Sequence, residues 1–319
     1  MMKQPLIILT GPTASGKTAL SVALAKRIGG EIISADSMQV YRHMDIGSAK
    51  VTEEEKEGIP HYLIDVLEPE ESFNVTVFQK MAKEAMEKIY ENGHIPIVAG
   101  GTGFYIQALL YDIDFTENDS DMGYREELEA LAAIKGPGVL HEMLKEKDPA
   151  SAEAIHENNV KRVIRALEFY KKTGMRISEH NESERRKESP YNFAYYVLNM
   201  DRDRLYSRID ARVDKMLADG LEEEVKKLKN MGCTRDMVSM QGLGYKEIID
   251  YLNGEISLDE AVYILKRDTR HFAKRQLTWF KRERGVTWVN QEDFDFSGEK
   301  ILDWMIRDLC GRQIITADR

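Results

Sequence analysis

"LTGPTASGKTALS", residues 9–21, decides the fold class of this chain. An apolar run, Leu6 to Leu9, precedes it, and Ala19, Leu20, Val22, Ala23 and Leu24 follow in a helical pattern. Between them stand Gly11, Pro12, Thr13, Ala14, Ser15, Gly16, Lys17 and Thr18, the spacing Gly-x-x-x-x-Gly-Lys-Thr. In a strand–loop–helix setting this spacing makes a phosphate cradle. The glycines let the backbone wrap closely, so successive N–H groups and the positive end of the helix face an anion. Lys17 adds a point charge, and the Thr18 hydroxyl is placed to reach a magnesium ion. A tight βα turn by itself needs glycines but not Lys-Thr after the last of them. The motif specifies a diphosphate and leaves the rest of the ligand open.

Outward from the cradle, strands at 6–10, 31–34, 61–66 and 95–99 alternate with helices at 17–28, 75–92 and 103–111. Such alternation predicts an α/β fold, a P-loop NTPase-like parallel sheet flanked by helices on both faces. From about 113 to 195 the pattern turns charged and helical, interrupted by "GPG" at 136–138, "DP" at 148–149 and "ESP" at 188–190. "FAYYVLNM" at 193–200 and "VTWV" at 286–289 then supply strands that complete the sheet. The expected division is a catalytic core of 1–112 with 196–319, and a helical insertion domain of 113–195.

A chain of 319 residues with 42% apolar side chains can fill a substantial core. Two cysteines, Cys233 and Cys310, fit a reducing compartment and have no metal or redox spacing. No apolar stretch approaches the ~20 residues that span a bilayer, and "MMKQPLIIL" passes directly into a strand, with no cleavable leader expected. The expected location is the cytoplasm. The net charge of −10 argues against a nucleic-acid partner until its distribution is read. "KRDTRHFAKRQLTWFKRER", 266–284, carries eight Lys/Arg against Asp268 and Glu283, a net +6, which leaves −16 on the rest. "KRVIRALEFYKKTGMR", 161–176, has six basic residues against Glu168 alone. Two basic surfaces on an acidic protein point to a specific polyanion site. His271, Lys274, Gln276, Trp279 and Arg282 mix cations, an amide and an aromatic within a few turns, a combination suited to stacking on bases and contacting phosphates.

Asp36 follows the second strand, at the edge where open parallel sheets bind ligands. There it can hold magnesium, act as a general base, or cap the next turn. Gly100, Gly101 and Gly103 permit close approach of a ligand, with Thr102 offering a hydroxyl from the same turn. Asp65 can be read as a Walker B-type metal acid. Arg204, Arg208 and Arg212 recur every fourth residue beside the apolar face of Leu205, Ile209, Val213, Met216 and Leu217. Such a line is either a solvated face or a clamp for phosphoryl charge.

Taken together, "GPTASGKT" (11–18), "ISADSMQVYRHMDIGSAK" (33–50), "HYLIDVLEP" (61–69), "VAGGTGFY" (98–105), "NNVKRVIRALE" (158–168), "QGLGYKE" (241–247) and "KRQLTWF" (274–280) resemble the tRNA dimethylallyltransferases. These segments run in the family's order over most of the chain. The resemblance implies that the cradle holds the pyrophosphate of dimethylallyl diphosphate, with Mg2+ as cofactor and no need for ATP. It implies transfer of the dimethylallyl group to the exocyclic amine of the adenosine 3′ to the anticodon. Asp36 becomes the base, Lys17 and Thr18 stabilise the leaving group with Thr18 as the metal ligand, and Arg208 is the expected pyrophosphate clamp. The expected tRNA contacts are Asp36, Ser37, Met38 and Gln39; Thr102 and Arg125; Lys161, Arg162, Val163, Ile164 and Arg165; Gln241, Gly242, Gly244, Tyr245 and Lys246; and Lys274, Arg275, Gln276, Trp279 and Lys281. The insertion is expected to grip the anticodon stem-loop, and the protein to act as a monomer away from membranes.

Two rival readings accommodate the cradle. A P-loop kinase of a nucleotide or small metabolite would use Asp36 as base and Arg208 as a lid arginine. An RNA-binding NTPase switch would bind ATP or GTP tightly and do without a carboxylate at 36. Neither accounts for both basic patches together with Asp36.

Overall fold

The computed structural model describes residues 3–115 and 122–316. The chain divides into two compact units, Met1–Leu110 with Pro190–Arg319, and Tyr111–Ser189. The first unit opens with β1 (Pro5–Thr10), α1 (Lys17–Ile28), β2 (Gly30–Ala35), α2 (Glu53–Lys56), β3 (His61–Tyr62), α3 (Val75–Glu91), β4 (Ile95–Gly100) and α4 (Gly103–Leu110). The second supplies α5 (Met122–Lys135), α6 (Gly138–Lys147), α7 (Pro149–Ala154), α8 (Val160–Thr173) and α9 (Ile177–Arg186). The chain then returns through β5 (Asn192–Asn199), α10 (Arg202–Ala218), α11 (Leu221–Asn230), α12 (Tyr245–Leu252), α13 (Leu258–Phe280), β6 (Val286–Asn290) and α14 (Gly298–Gly311).

The six strands form one parallel sheet in the order β3-β2-β4-β1-β5-β6. Side chains alternate along β1. Ile7 and Leu9 pack with Leu20, Leu24 and Ile28 of α1 and with Ile301, Met305 and Leu309 of α14, while Leu6 and Ile8 are buried on the opposite face. Strands buried on both faces read as continuous apolar runs, which is why β1 and β4 are legible in the sequence. The register places Thr10, Ala35 and Gly100 in one row. With strands ~4.8 Å apart, the loops after β1, β4 and β2 therefore leave the same carboxyl edge side by side.

Two sequence expectations are corrected. The strand at 61–66 is only His61–Tyr62, because Leu63 and Asp65 adopt left-handed backbone, φ 62° and 54°, which ends the ladder. The helical unit ends at Ser189, ahead of the expected 195, because β5 pairs with β1 from Asn192 onward. Among the described residues no helix is long and apolar enough to cross a membrane.

The helical unit has its own core of Leu128, Leu140, Leu144, Val163, Ile164 and Leu167. Its polar keystone is the buried Asp148. One carboxylate oxygen accepts the Ser151 N–H (3.0 Å) and the Ser178 hydroxyl (2.6 Å); the other accepts the Ser151 hydroxyl (2.7 Å) and the Ser178 N–H (3.0 Å). Burial opposes its charge, yet hydrogen bonds from Ser178 and Ser151 outweigh that and hold its carboxyl below the usual range. Asp148→Ala is expected to destabilise this unit by about 3 kcal/mol, since four donors lose a charged acceptor. Limited proteolysis within 111–189 reads that loss. The wild-type contribution is present above the ordinary carboxylate pKa of 3.8 and is lost as the pH falls through the lowered value.

Candidate functional site

At the carboxyl edge of the sheet lies a cavity of about 900 Å³. The cradle forms one wall. Gly11 (φ 150°) and Gly16 (φ 90°) take conformations that side chains disfavour, and a Cβ on Gly11 would fall 2.6 Å from the Leu198 carbonyl oxygen. The loop is held by two buried glutamines. Gln276 of α13 accepts the Thr13 N–H and donates to the Gly101 carbonyl, both at 2.9 Å, and Gln291 donates to the Ser15 carbonyl at 2.9 Å. Thr13, Ala14, Ser15, Gly16, Lys17 and Thr18 line the cavity, whereas Gly11 and Pro12 support the loop from behind.

Lys17 is half-buried and donates to the Gly11 and Pro12 carbonyls at 3.1 and 2.7 Å. Loss of hydration, and then the nearby Arg212 charge, pull its pKa from 10.5 down to about 7, with Asp36 opposing. Burial likewise lowers Arg212, while Asp36 and Glu55 support its charge. The arginine line thus divides. Arg208 and Arg212 line the cavity, with the Arg208 guanidinium beside Gly16, while Arg204 stacks on Phe296 with its guanidinium carbon 3.5 Å from the ring centre. The every-fourth spacing includes Arg212 but cannot separate it from Arg204; only helix orientation does.

Asp36 is half-buried on the wall next to the cradle. Its Oδ1 accepts the N–H groups of Met38 (2.8 Å) and Gln39 (3.4 Å), while Oδ2 takes no hydrogen bond from any described residue. The capping and base readings are therefore compatible: one oxygen is anchored and the other is available. Ser37, Met38, Gln39 and Thr102 also line the cavity, and the Thr102 N–H is fixed to the Ala35 carbonyl at 3.1 Å. In the same cavity Val51, Ile64, Phe73 and Tyr105 give an apolar lining, with Phe73 and Tyr105 edge to face at 5.6 Å. Anion donors, a half-free carboxylate and an apolar recess thus share one space. Asp65 is not part of it: its carboxylate pairs with Lys50 Nζ at 2.5 Å and does not line the cavity, which removes the Walker B reading.

Several residues expected to touch RNA lie elsewhere. Tyr245 is fully buried beneath the cavity, and Gly244 turns the chain into α12 at φ 96°. Gln241, Gly242 and Lys246 do line the cavity, with Lys246 also 3.3 Å from Glu247. On α13, Lys266 and Arg270 pair with Asp214 and Asp210 of α10, and Arg267 pairs with Asp268. Lys274, Arg275, Lys281 and Arg282 are exposed with no acidic partner among the described residues, so the basic surface is the carboxyl-terminal half of the stretch. Arg275 lines the cavity. Trp279 packs edge to face on Phe104 at 6.1 Å, a packing role instead of a free stacking platform. Gln276 lines the cavity but is buried with both ends of its amide engaged, by the Thr13 N–H and the Gly101 carbonyl.

In the helical unit, α8 exposes Lys161, Arg162 and Arg165 and buries Val163 and Ile164 in the core; their apolar side chains are corrected from contacts to supports. Arg125 forms a two-point pair with Glu168, at 3.0 and 2.7 Å. These positions answer to helix phase, which places every third or fourth residue inside.

A family model described as IPP transferase matches residues 39–283. The tRNA dimethylallyltransferase of Lachnoclostridium phytofermentans is 64% identical over 312 residues, covering 98% of this chain and 99% of that protein. That of Acetivibrio thermocellus is 54% identical, covering 93% and 95%. Among solved structures, a full-length tRNA isopentenylpyrophosphate transferase from Bacillus halodurans matches with a TM-score of 0.73 at 47% identity, covering 98% of both chains. A eukaryotic dimethylallyltransferase crystallised acting on tRNA matches with a TM-score of 0.79 at 31% identity, covering 90% of this chain and 74% of its own.

Proposed function

Since this chain belongs to the IPP transferase family, we propose that it transfers a dimethylallyl group from dimethylallyl diphosphate to the exocyclic amine of the adenosine 3′ to the anticodon in tRNA. The observation that carries the reading is the cavity itself, where an anion cradle, an apolar wall and the half-free Asp36 carboxylate meet. The adenine nitrogen attacks the allylic carbon, the carbon–oxygen bond breaks, and its electron pair leaves on diphosphate. Asp36 Oδ2 accepts the proton that the amine releases. Backbone N–H groups of Ala14, Gly16, Lys17 and Thr18, with the side chains of Lys17, Arg208 and Arg212, oppose the charge that grows on the leaving group. Val51, Ile64, Phe73 and Tyr105 suit a five-carbon tail and exclude water from a reactive allylic centre.

The donor set fits magnesium. Thr18 stands in the first turn of α1, at the cradle, and offers one hydroxyl oxygen, few protein oxygens being what such an ion takes when substrate phosphates and water supply the others. When bound, it would add Lewis-acid stabilisation of the diphosphate. The target base must leave its stack to reach the cavity. In this reading Lys274, Arg275, Lys281 and Arg282, with Lys161, Arg162 and Arg165 of the helical unit, hold the anticodon stem-loop. The kinase alternative is not favoured, because the relatives over the whole chain are tRNA transferases.

Incubation with magnesium, dimethylallyl diphosphate and unmodified tRNA is expected to add one five-carbon group per tRNA, read by nucleoside mass spectrometry. Product that forms without the allylic donor, or only with ATP, would refute the proposal. Binding should also weaken steeply with salt. Each phosphate contact adds about 0.7–0.9 to the double-logarithmic slope, and Lys274→Ala or Arg275→Ala should each reduce it by about 1. An unchanged slope would remove those side chains from the interface.

A further inference from the structure

Three consecutive backbone N–H groups of the segment between β2 and α2 converge on one carboxylate outside the cavity, and a fourth reaches it through a tyrosine hydroxyl. Those of Asp45 and Ile46 donate to Glu224 Oε2 at 2.9 and 2.8 Å, and that of Gly47 to Oε1 at 3.0 Å. The Ser48 N–H donates to the Tyr245 hydroxyl at 3.1 Å, which passes its own hydrogen to Glu224 Oε1 at 2.8 Å. The Tyr245 ring lies so close that a Cβ on Gly47 would be 2.5 Å from its Cζ. A run of N–H groups turned to one side is an anion-binding concavity; here the anion is the protein's own.

The held segment is a wall of the reaction space. Gly47, Ser48 and Ala49 line the cavity, and Glu224 and Tyr245 do not. The Ala49 carbonyl accepts the Gln39 amide at 3.2 Å, Gln39 Oε1 accepts the Ser34 hydroxyl at 3.3 Å, and the Gln39 N–H points to Asp36 Oδ1 at 3.4 Å. A hydrogen-bonded path therefore runs from Glu224 through residues 45–49 to Gln39 and the Asp36 turn. We propose that Glu224 and Tyr245 are positioning residues for the transfer reaction, setting Gln39 and Asp36 against the target base without touching substrate. This rests on the transferase reading above.

The far end of the same segment is held independently. Lys50 Nζ, with 5% of its side chain exposed, donates to the Tyr41 carbonyl at 2.8 Å and pairs with Asp45 at 2.6 Å and Asp65 at 2.5 Å. Loss of Glu224 should therefore loosen the wall without unfolding it. Glutamine is a poor replacement: it has one acceptor oxygen, and its NH2 would face an N–H donor.

The test compares Glu224→Gln, Tyr245→Phe, Gln39→Ala and the double variant Glu224→Gln/Gln39→Ala with wild type, under saturating tRNA and donor, after thermal unfolding has confirmed that each is folded. Glu224→Gln should lower kcat by about tenfold to a hundredfold, the effect of a displacement of roughly 1 Å at a reacting group, and Tyr245→Phe by about threefold to tenfold on the same basis. Donor KM and the Kd of inorganic pyrophosphate should stay within about twofold, since the cradle has separate supports. The double variant should lose no more than Gln39→Ala alone. Wild-type kcat in Glu224→Gln, losses that multiply in the double variant, or an equal loss of pyrophosphate binding would overturn the inference while leaving the transferase reading intact. Failure of the wild-type protein itself to prenylate tRNA would instead refute that reading.

Discussion

Asp36→Asn is expected to keep tRNA binding within a few-fold and to lower the single-turnover rate by about 10²–10⁴, the range attributed to a positioned general base. The variant isolates the proton transfer. Asparagine retains an oxygen that can accept the Met38 and Gln39 N–H groups, so the turn should survive, but the group in place of Oδ2 cannot take a proton. One side effect has a known sign. Asp36 supports the Lys17 charge, so its removal should depress that ammonium further. The comparison therefore belongs below pH 7 as well as above it. A variant that turned over at the wild-type rate in both conditions would remove Asp36 from the base role.

The second large effect is expected at Lys17. Burial and Arg212 lower its pKa to about 7, so in the free protein it is half-charged near neutral pH. A diphosphate pairs with the charged form, so binding above that pH takes up a proton. Donor affinity should fall by up to about tenfold per pH unit above 7 until the bound-state value is reached. Stability has the opposite slope. The folded value lies below the unfolded 10.5, so the contribution of Lys17 to stability is least favourable below about pH 7, where the fold must hold its charge, and it improves as the pH rises from there toward 10.5. Calorimetry in buffers of different ionisation enthalpy measures the proton uptake directly. Lys17→Arg should abolish that uptake, and Lys17→Met should lower turnover by about 10²–10³, as for loss of one preorganised donor to a developing anion. Donor binding that is flat in pH and releases no buffer heat would refute the assignment.

Much of the candidate cavity's lining was legible in the sequence because its parts are local. A cradle is eight consecutive residues, and a carboxylate just past a strand end lies at a ligand-binding edge whatever the rest of the chain does. Local pattern was weaker wherever a residue's partner is distant in sequence. Gln276 stands in a basic stretch, yet both ends of its amide are occupied by loops 263 and 175 residues away. Tyr245 belongs to the "QGLGYKE" segment, yet its hydroxyl is used by Glu224 and Ser48. Nothing in "LEEEVKKL" distinguishes Glu224 from its neighbours Glu222 and Glu223.

Sequence alone determined the α/β class, the cradle and its charge preference, the place of Asp36 beside it, and two basic segments on an acidic chain. These follow from periodicity and from residue types that carry their chemistry wherever they stand. Tertiary structure alone decided which arginine of the α10 line leaves the cavity, which cations of 266–284 are paired with acids, which oxygen of Asp36 is available, and what holds residues 45–49. Each is a question of direction and of partner. A side chain's direction is set by helix phase and by packing against elements far away in the chain, and neither is written in the residues that surround it.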